Sequence, residues 1–87
     1  MAVVHIPSQL RELAAGVGQV EIEGATLGEV IAALDRQFPG LADRLVDGQR
    51  LAPGLAASID GHLTARGLLA PVRPDSEIHF LPAIGGG

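Results

Sequence analysis

"TLGEVIAALDRQFPG", residues 26–40, carries its own start and stop signals for a helix. Thr26 followed three residues later by Glu29 is a capping box, in which each side chain satisfies a backbone N–H that the first turn leaves unpaired. Leu27, Val30, Ile31, Leu34 and Phe38 recur at helical spacing and form one apolar stripe. Pro39-Gly40 then ends the helix. A helix with one apolar face needs a surface to cover. No other stretch of the chain is long enough to supply a second such helix, so the surface must be a sheet.

The strands of that sheet read outward from the helix. "QVEIE", residues 19–23, alternates Val20 and Ile22 with Glu21 and Glu23, the pattern of a strand with one buried and one wet face. "AVVHI", residues 2–6, is β-branched and is closed by Pro7-Ser8. The connection between them, "PSQLRELAAGVG", has room for a turn of helix, and strands joined so closely pair antiparallel. Beyond the main helix, "LADRLV" predicts a further helical turn with Leu41 and Leu45 on one side, and "DGQRLAPG" predicts loop. Residues 55–60, "LAASID", are a third strand, with Asp60-Gly61 as its hairpin turn. "RGLLAPVRPDS" is irregular until Pro74-Asp75-Ser76 turns the chain into a last strand, residues 77–81. That strand belongs beside the first, parallel to it, with the helix covering the crossover. The expected fold class is α+β: a mixed sheet of four to five strands with one main helix packed across it.

Composition limits what such a domain can do. The chain has 87 residues, enough for one domain that buries about 60–65 % of its unfolded surface. With only Phe38 and Phe80 aromatic, the core must be aliphatic. The formal charge is −4, and the six basic residues are all Arg, scattered singly, so no patch exists to bind a nucleic-acid backbone. A partner with a basic docking surface suits this balance better. There is no Cys, which removes disulfides, thiolate metal sites and cysteine nucleophiles. The N-terminus lacks the pattern of a signal peptide, and no apolar run is long enough to span a bilayer. The expectation is a soluble, cytoplasmic protein with no membrane partner.

Residues that carry chemistry elsewhere read as structural here. Glu77 and His79 are two apart on a strand and share a face, which suits a metal pair, an acid/base pair or the wet side of a strand whose Ile78 and Phe80 point inward. With His5 and His62 isolated in the sequence and no Cys, the wet-face reading is preferred and no bound metal is expected. Ser58, Asp60 and His62 are near one another along the chain, but a nucleophilic triad is defined by geometry, not by sequence proximity. The absence of Lys follows from a coding preference for Arg, though it also denies the chain a site for isopeptide attachment to itself.

The distinctive stretch is the end, "PVRPDSEIHFLPAIGGG". A glycine run is also the composition of a frayed terminus or an appended linker. Here it follows a hydrophobic strand and a proline exit, which marks it as a working end. With "TLGEVIAAL", "FPGL" and "IDG", these residues make the chain resemble the β-grasp sulfur carriers of the ubiquitin-like class, the MoaD/ThiS-like group. That group holds the molybdopterin-synthase small subunit, the thiamine sulfur carrier and the cysteine-biosynthetic sulfur carrier. The likeness covers essentially the whole chain, and its specific part is strand, proline, apolar residue and terminal Gly-Gly. Two positions depart from the usual pattern: Asp75-Ser76-Glu77 stands where Gly-Asp is frequent, and Gly85 where a small non-glycine residue is common.

The resemblance implies a β-grasp domain over residues 1–84 and a flexible glycine tail, residues 85–87. It implies a carrier and not an enzyme, with no cofactor bound and no catalytic residue of its own. An E1-like adenylating enzyme would use ATP to activate the carboxylate of Gly87. A sulfurtransferase or other sulfur source would convert it to a thiocarboxylate, and a downstream biosynthetic enzyme would take the sulfur. Gly86 and Gly85 give access, because a backbone without Cβ enters a narrow channel. Pro82 cannot donate to a ladder and so is expected to turn the chain out of the last strand. Leu81, Pro82 and Ile84 match the partner interface by position. Alternation puts Leu81 on the wet face of its strand, where an exposed Leu beside other apolar groups marks a binding surface. Two other classes share these features: a protein modifier that acylates lysines of other proteins through Gly87, and a β-grasp interaction domain with an inert tail.

Overall fold

The computed structural model describes residues 1–82. Seven strands and two helices follow in the order β1 (Ala2–His5), β2 (Gln19–Ile22), α1 (Leu27–Gln37), α2 (Leu41–Leu45), β3 (Val46–Asp47), β4 (Arg50–Leu51), β5 (Leu55–Ile59), β6 (His62–Leu63) and β7 (Glu77–Pro82). The main sheet has the order β2-β1-β7-β5-β6, with β3 and β4 a separate hairpin. β1 pairs antiparallel with β2 and parallel with β7, as the closeness of the first pair and the crossover argument require. This mixed sheet with α1 across one face is the β-grasp arrangement.

α1 forms where its capping box predicts. Thr26 Oγ1 accepts from the Glu29 N–H at 3.2 Å, while Glu29 Oε1 accepts from the Ala25 N–H at 3.1 Å, one residue outside the cap itself. Leu27, Val30, Ile31 and Leu34 are buried against Ala2, Val4, Ile22, Ile78 and Phe80 of the sheet, and Phe38 packs half-buried at the helix end. The helix stops because Gly40 takes a left-handed φ of 98°, after which the carboxylate of Asp35 accepts from both Gly40 N–H and Ala42 N–H and so starts α2. Leu41 and Leu45 of α2 close the core beneath.

Three short elements differ from the reading of the sequence. The segment read as loop before residue 55 folds as the β3–β4 hairpin, too short for periodicity to register. His62–Leu63 adds β6 after the Asp60-Gly61 turn, so the sheet has five strands. The last strand runs one residue further than expected, to Pro82, which pairs with Leu55.

Candidate functional site

β7 lies in the middle of the sheet, and its first residues are fixed from three sides. The Val3 N–H donates to Ser76 O at 2.9 Å on the β1 side. On the β5 side the Asp60 N–H donates to Glu77 O, and Asp60 Oδ1 accepts from the Glu77 N–H at 2.8 Å. Ser76, 1 % exposed, donates its hydroxyl to Asp60 Oδ2 at 2.9 Å and accepts from the Arg73 N–H at 3.0 Å. The Glu77 N–H and then the Ser76 hydroxyl hold the Asp60 carboxyl below the usual carboxylate range, and the Arg73 guanidinium, 3.7 Å away, adds to this. Asp60 reaches this position by adopting a φ of 54°, a conformation that Asp tolerates better than most residues. Sequence reasoning saw Asp60 as a turn residue and weighed it in a triad with Ser58 and His62; its clamp on β7 depends on a contact 16 positions away.

At its other end β7 meets two prolines. The parallel ladder set by Val3 N–H and Ser76 O calls on every second residue of this edge, His5 and then residue 7, and Pro7 has no N–H to give. On the opposite side, the Asp60–Glu77 bond sets the alternation so that Leu55 and Pro82 face each other at a non-hydrogen-bonded position. Pro82 therefore ends the strand in register without breaking a rung, which corrects the expectation that it leaves the strand. Where β1 departs, a groove of about 500 Å³ opens beside β7, lined by Pro7, Leu10, Arg44, Pro53, Phe80 and Pro82 among others.

The face of the sheet opposite α1 carries Gln19 and Glu21 of β2, His5 of β1, Glu77 and His79 of β7 and Ser58 of β5, together with a few apolar side chains. Leu81 lies on it, 38 % exposed, opposite Ala56, and Leu63, 67 % exposed, stands opposite Ser58 on β6. His79 is flanked by Ser58 on β5 and by His5 on β1. His5 is thus not isolated: the parallel pairing stacks its ring on that of His79 with centroids 4.0 Å apart, and its Nε2 lies 3.1 Å from Glu77 Oε1. The pairing of two strands far apart in sequence brings them together, and spacing along the chain cannot show it. No triad forms at Ser58, Asp60 and His62. His62 pairs with Ile59 and so lies on the opposite face from Ser58, and its Nδ1 meets the backbone oxygen of Asp60, not the carboxylate.

Ile84, Gly85, Gly86 and Gly87 lie outside the described residues. Among the described residues no helix is long and apolar enough to cross a membrane.

Comparison with known proteins places this geometry. The Sulfur carrier protein CysO of Mycobacterium tuberculosis is 30 % identical over 91 residues, covering 97 % of this chain and 96 % of that protein. A chain in the crystal structure of the Amycolatopsis orientalis BexX/CysO complex superposes with a TM-score of 0.91 at 30 % identity, each chain covered in full. The crystal structure of Mycobacterium tuberculosis CysO gives 0.88 at 27 % identity over 97 % of this chain and all of that one. The small archaeal modifier protein 1 of Methanosarcina acetivorans shares the fold, with a TM-score of 0.78 at 24 % identity over 99 % of this chain and 95 % of its own. The profile of the ThiS family matches residues 4–87, from the first strand through the glycine run, and the chain belongs to that family.

Proposed function

We propose that this protein is a sulfur carrier whose working group is the carboxylate of Gly87. The observation that carries the proposal is the agreement of two features. β7 is clamped at its start by Asp60 and Ser76 and holds its register with β5 through Pro82, and the family match runs through this strand to Gly87. The relatives named sulfur carriers span nearly the full chain, which supports the same reading.

The chemistry needs no catalytic side chain on the carrier. The Gly87 carboxylate attacks the α-phosphate of ATP on an E1-like adenylating enzyme, pyrophosphate leaves, and an acyl-adenylate forms. Sulfide adds to that carbonyl and expels AMP, leaving a thiocarboxylate; where a sulfurtransferase persulfide delivers the sulfur, its terminal sulfur expels AMP to give an acyl disulfide, which a thiol reduces to the thiocarboxylate as a new disulfide forms. The thiocarboxylate sulfur then displaces a leaving group from an activated carbon held by a downstream biosynthetic enzyme, forming a thioester, and water cleaves its acyl–sulfur bond to return the carboxylate and release the product thiol. The product is a sulfur-containing metabolite of the molybdopterin, cysteine or thiamine type. Gly85 and Gly86 let the backbone enter a narrow channel. Leu81, Pro82 and Ile84 form the partner interface. The BexX/CysO complex of Amycolatopsis supports docking of a protein partner. Activation takes place in the cytoplasm.

Intact mass spectrometry of the protein incubated with its adenylating partner, ATP and sulfide tests this. Exchange of one oxygen for one sulfur, located in the last peptide, is the expected result. An unchanged carboxylate with a competent partner and ATP present would overturn it.

A further inference from the structure

We infer that His5, Glu77 and His79 form a three-ligand site for a borderline transition-metal dication, zinc being the best fit. The inference concerns the open sheet face and does not rest on the sulfur-carrier reading. One ligand atom from each residue lies within 4.8 Å of the others. His5 Nε2 and Glu77 Oε1 are already 3.1 Å apart. Ligand atoms around a tetrahedral zinc with bonds of about 2.0–2.1 Å sit about 3.3 Å from each other, so one edge of the coordination shell exists before any ion arrives.

The scaffold beneath these side chains is rigid. His5 and His79 are direct partners on β1 and the central strand β7, and the Glu77 backbone is held by Asp60 on its other side. The imidazole planes are within 5° of parallel, so their lone pairs lie side by side and do not converge. Rotation about the side-chain torsions brings them together on one ion. The side chains face solvent on this side of the sheet, 30 % exposed at His5 and 61 % at Glu77, with His79 half-buried.

The donor set selects the metal. Two imidazoles and one carboxylate suit zinc and its neighbours, whereas calcium and magnesium demand shells made almost wholly of oxygen. Three protein ligands leave one position for water. An imidazole–carboxylate pair alone explains the His5–Glu77 contact, but it needs only one histidine, and an exposed pair of that kind contributes little.

The chain contains its own control, since its third histidine, His62, lies on the other face of the sheet. Titration of the full chain with Zn(II), followed by calorimetry and by histidine proton NMR, should show one saturable site that shifts His5 and His79 and leaves His62 unmoved. Co(II) should give the intense visible bands of a four-coordinate ion. His79→Ala and His5→Ala should each weaken Zn(II) binding about tenfold or more, Glu77→Gln less, and His62→Ala not at all. The NMR shifts in the unmodified protein keep the test decisive should a variant fail to fold. Absence of saturable binding, or binding that persists in His79→Ala or follows His62, would overturn the site and leave only a proton-bridged pair.

Discussion

Ser76 Oγ donates to Asp60 Oδ2 at 2.9 Å, tying the turn after β5 to the residue that enters β7. Because Ser76 is buried and also accepts from the Arg73 N–H, one hydroxyl serves two partners. Ser76→Ala leaves both short of a partner and should cost about 1–3 kcal/mol of unfolding free energy, measured by urea denaturation. Ser8→Ala, at an exposed position whose side chain makes no such contact, should stay within about 0.5 kcal/mol of the wild type. Equal effects of the two substitutions would refute the clamp.

The same network sets the response to acid. The Glu77 N–H, followed by the Ser76 hydroxyl, lowers the pKa of Asp60 in the folded chain relative to the unfolded one. A depressed folded pKa gives stability that is fully present above the unfolded value, about 3.9, and is lost as pH falls through the lower folded value. Asp60→Asn should therefore have a lower Tm than the wild type near neutrality, and the gap should close on acidification below about pH 4. Thermal melts by circular dichroism from neutral to acid pH check this; a gap independent of pH would assign the effect to packing.

The cap of α1 is a separate contribution. Thr26→Ala removes the acceptor for the Glu29 N–H and should destabilise the protein by about 1 kcal/mol, while Thr26→Ser should recover most of it. Denaturant midpoints of the three proteins, read with an unchanged slope, decide the matter.

These elements differ in how far the sequence disclosed them, for a physical reason. The cap, stripe and stop of α1 are contacts within a few residues, so spacing alone reveals them. The parallel pairing of β1 with β7 follows from the rule that a crossover must be covered, and α1 was available to cover it. β3, β4 and β6 are each two residues long, below what any period can signal. The His5–His79 stack and the Asp60 clamp arise from registers between distant strands, so neither could be read from the one-dimensional order. Of the site, Leu81 was legible as exposed because alternation with Ile78 and Phe80 fixes its face.

That exposure makes Leu81 a clean probe of docking. Leu81→Asp replaces an exposed apolar side chain on the open face and should leave unfolding free energy within about 0.5–1 kcal/mol of the wild type. Under the proposed function it should also abolish thiocarboxylation by the adenylating partner. Leu69, 73 % exposed beside α1, is the matched control, and Leu69→Asp should be thiocarboxylated normally. Normal thiocarboxylation of Leu81→Asp would remove this face from the interface.

The glycine run offers a finer discrimination, because its three members have different tasks under the proposed function. Gly87 carries the reacting carbonyl, and Gly86 precedes it at the point where a channel must admit bare backbone. A branched side chain at Gly86 collides with such a channel and displaces the carboxylate from ATP. Gly86→Val should therefore lower the rate of thiocarboxylation about a hundredfold or more, the scale on which a misplaced reacting group loses rate. Gly85 stands where a methyl group is tolerable, so Gly85→Ala should remain a substrate. Under the same reading neither substitution should move Tm. Initial rates from intact mass spectrometry, with melts of the same samples, read both effects together. A Gly86→Val protein thiocarboxylated as fast as the wild type would mean that the tail does not enter a close-fitting channel.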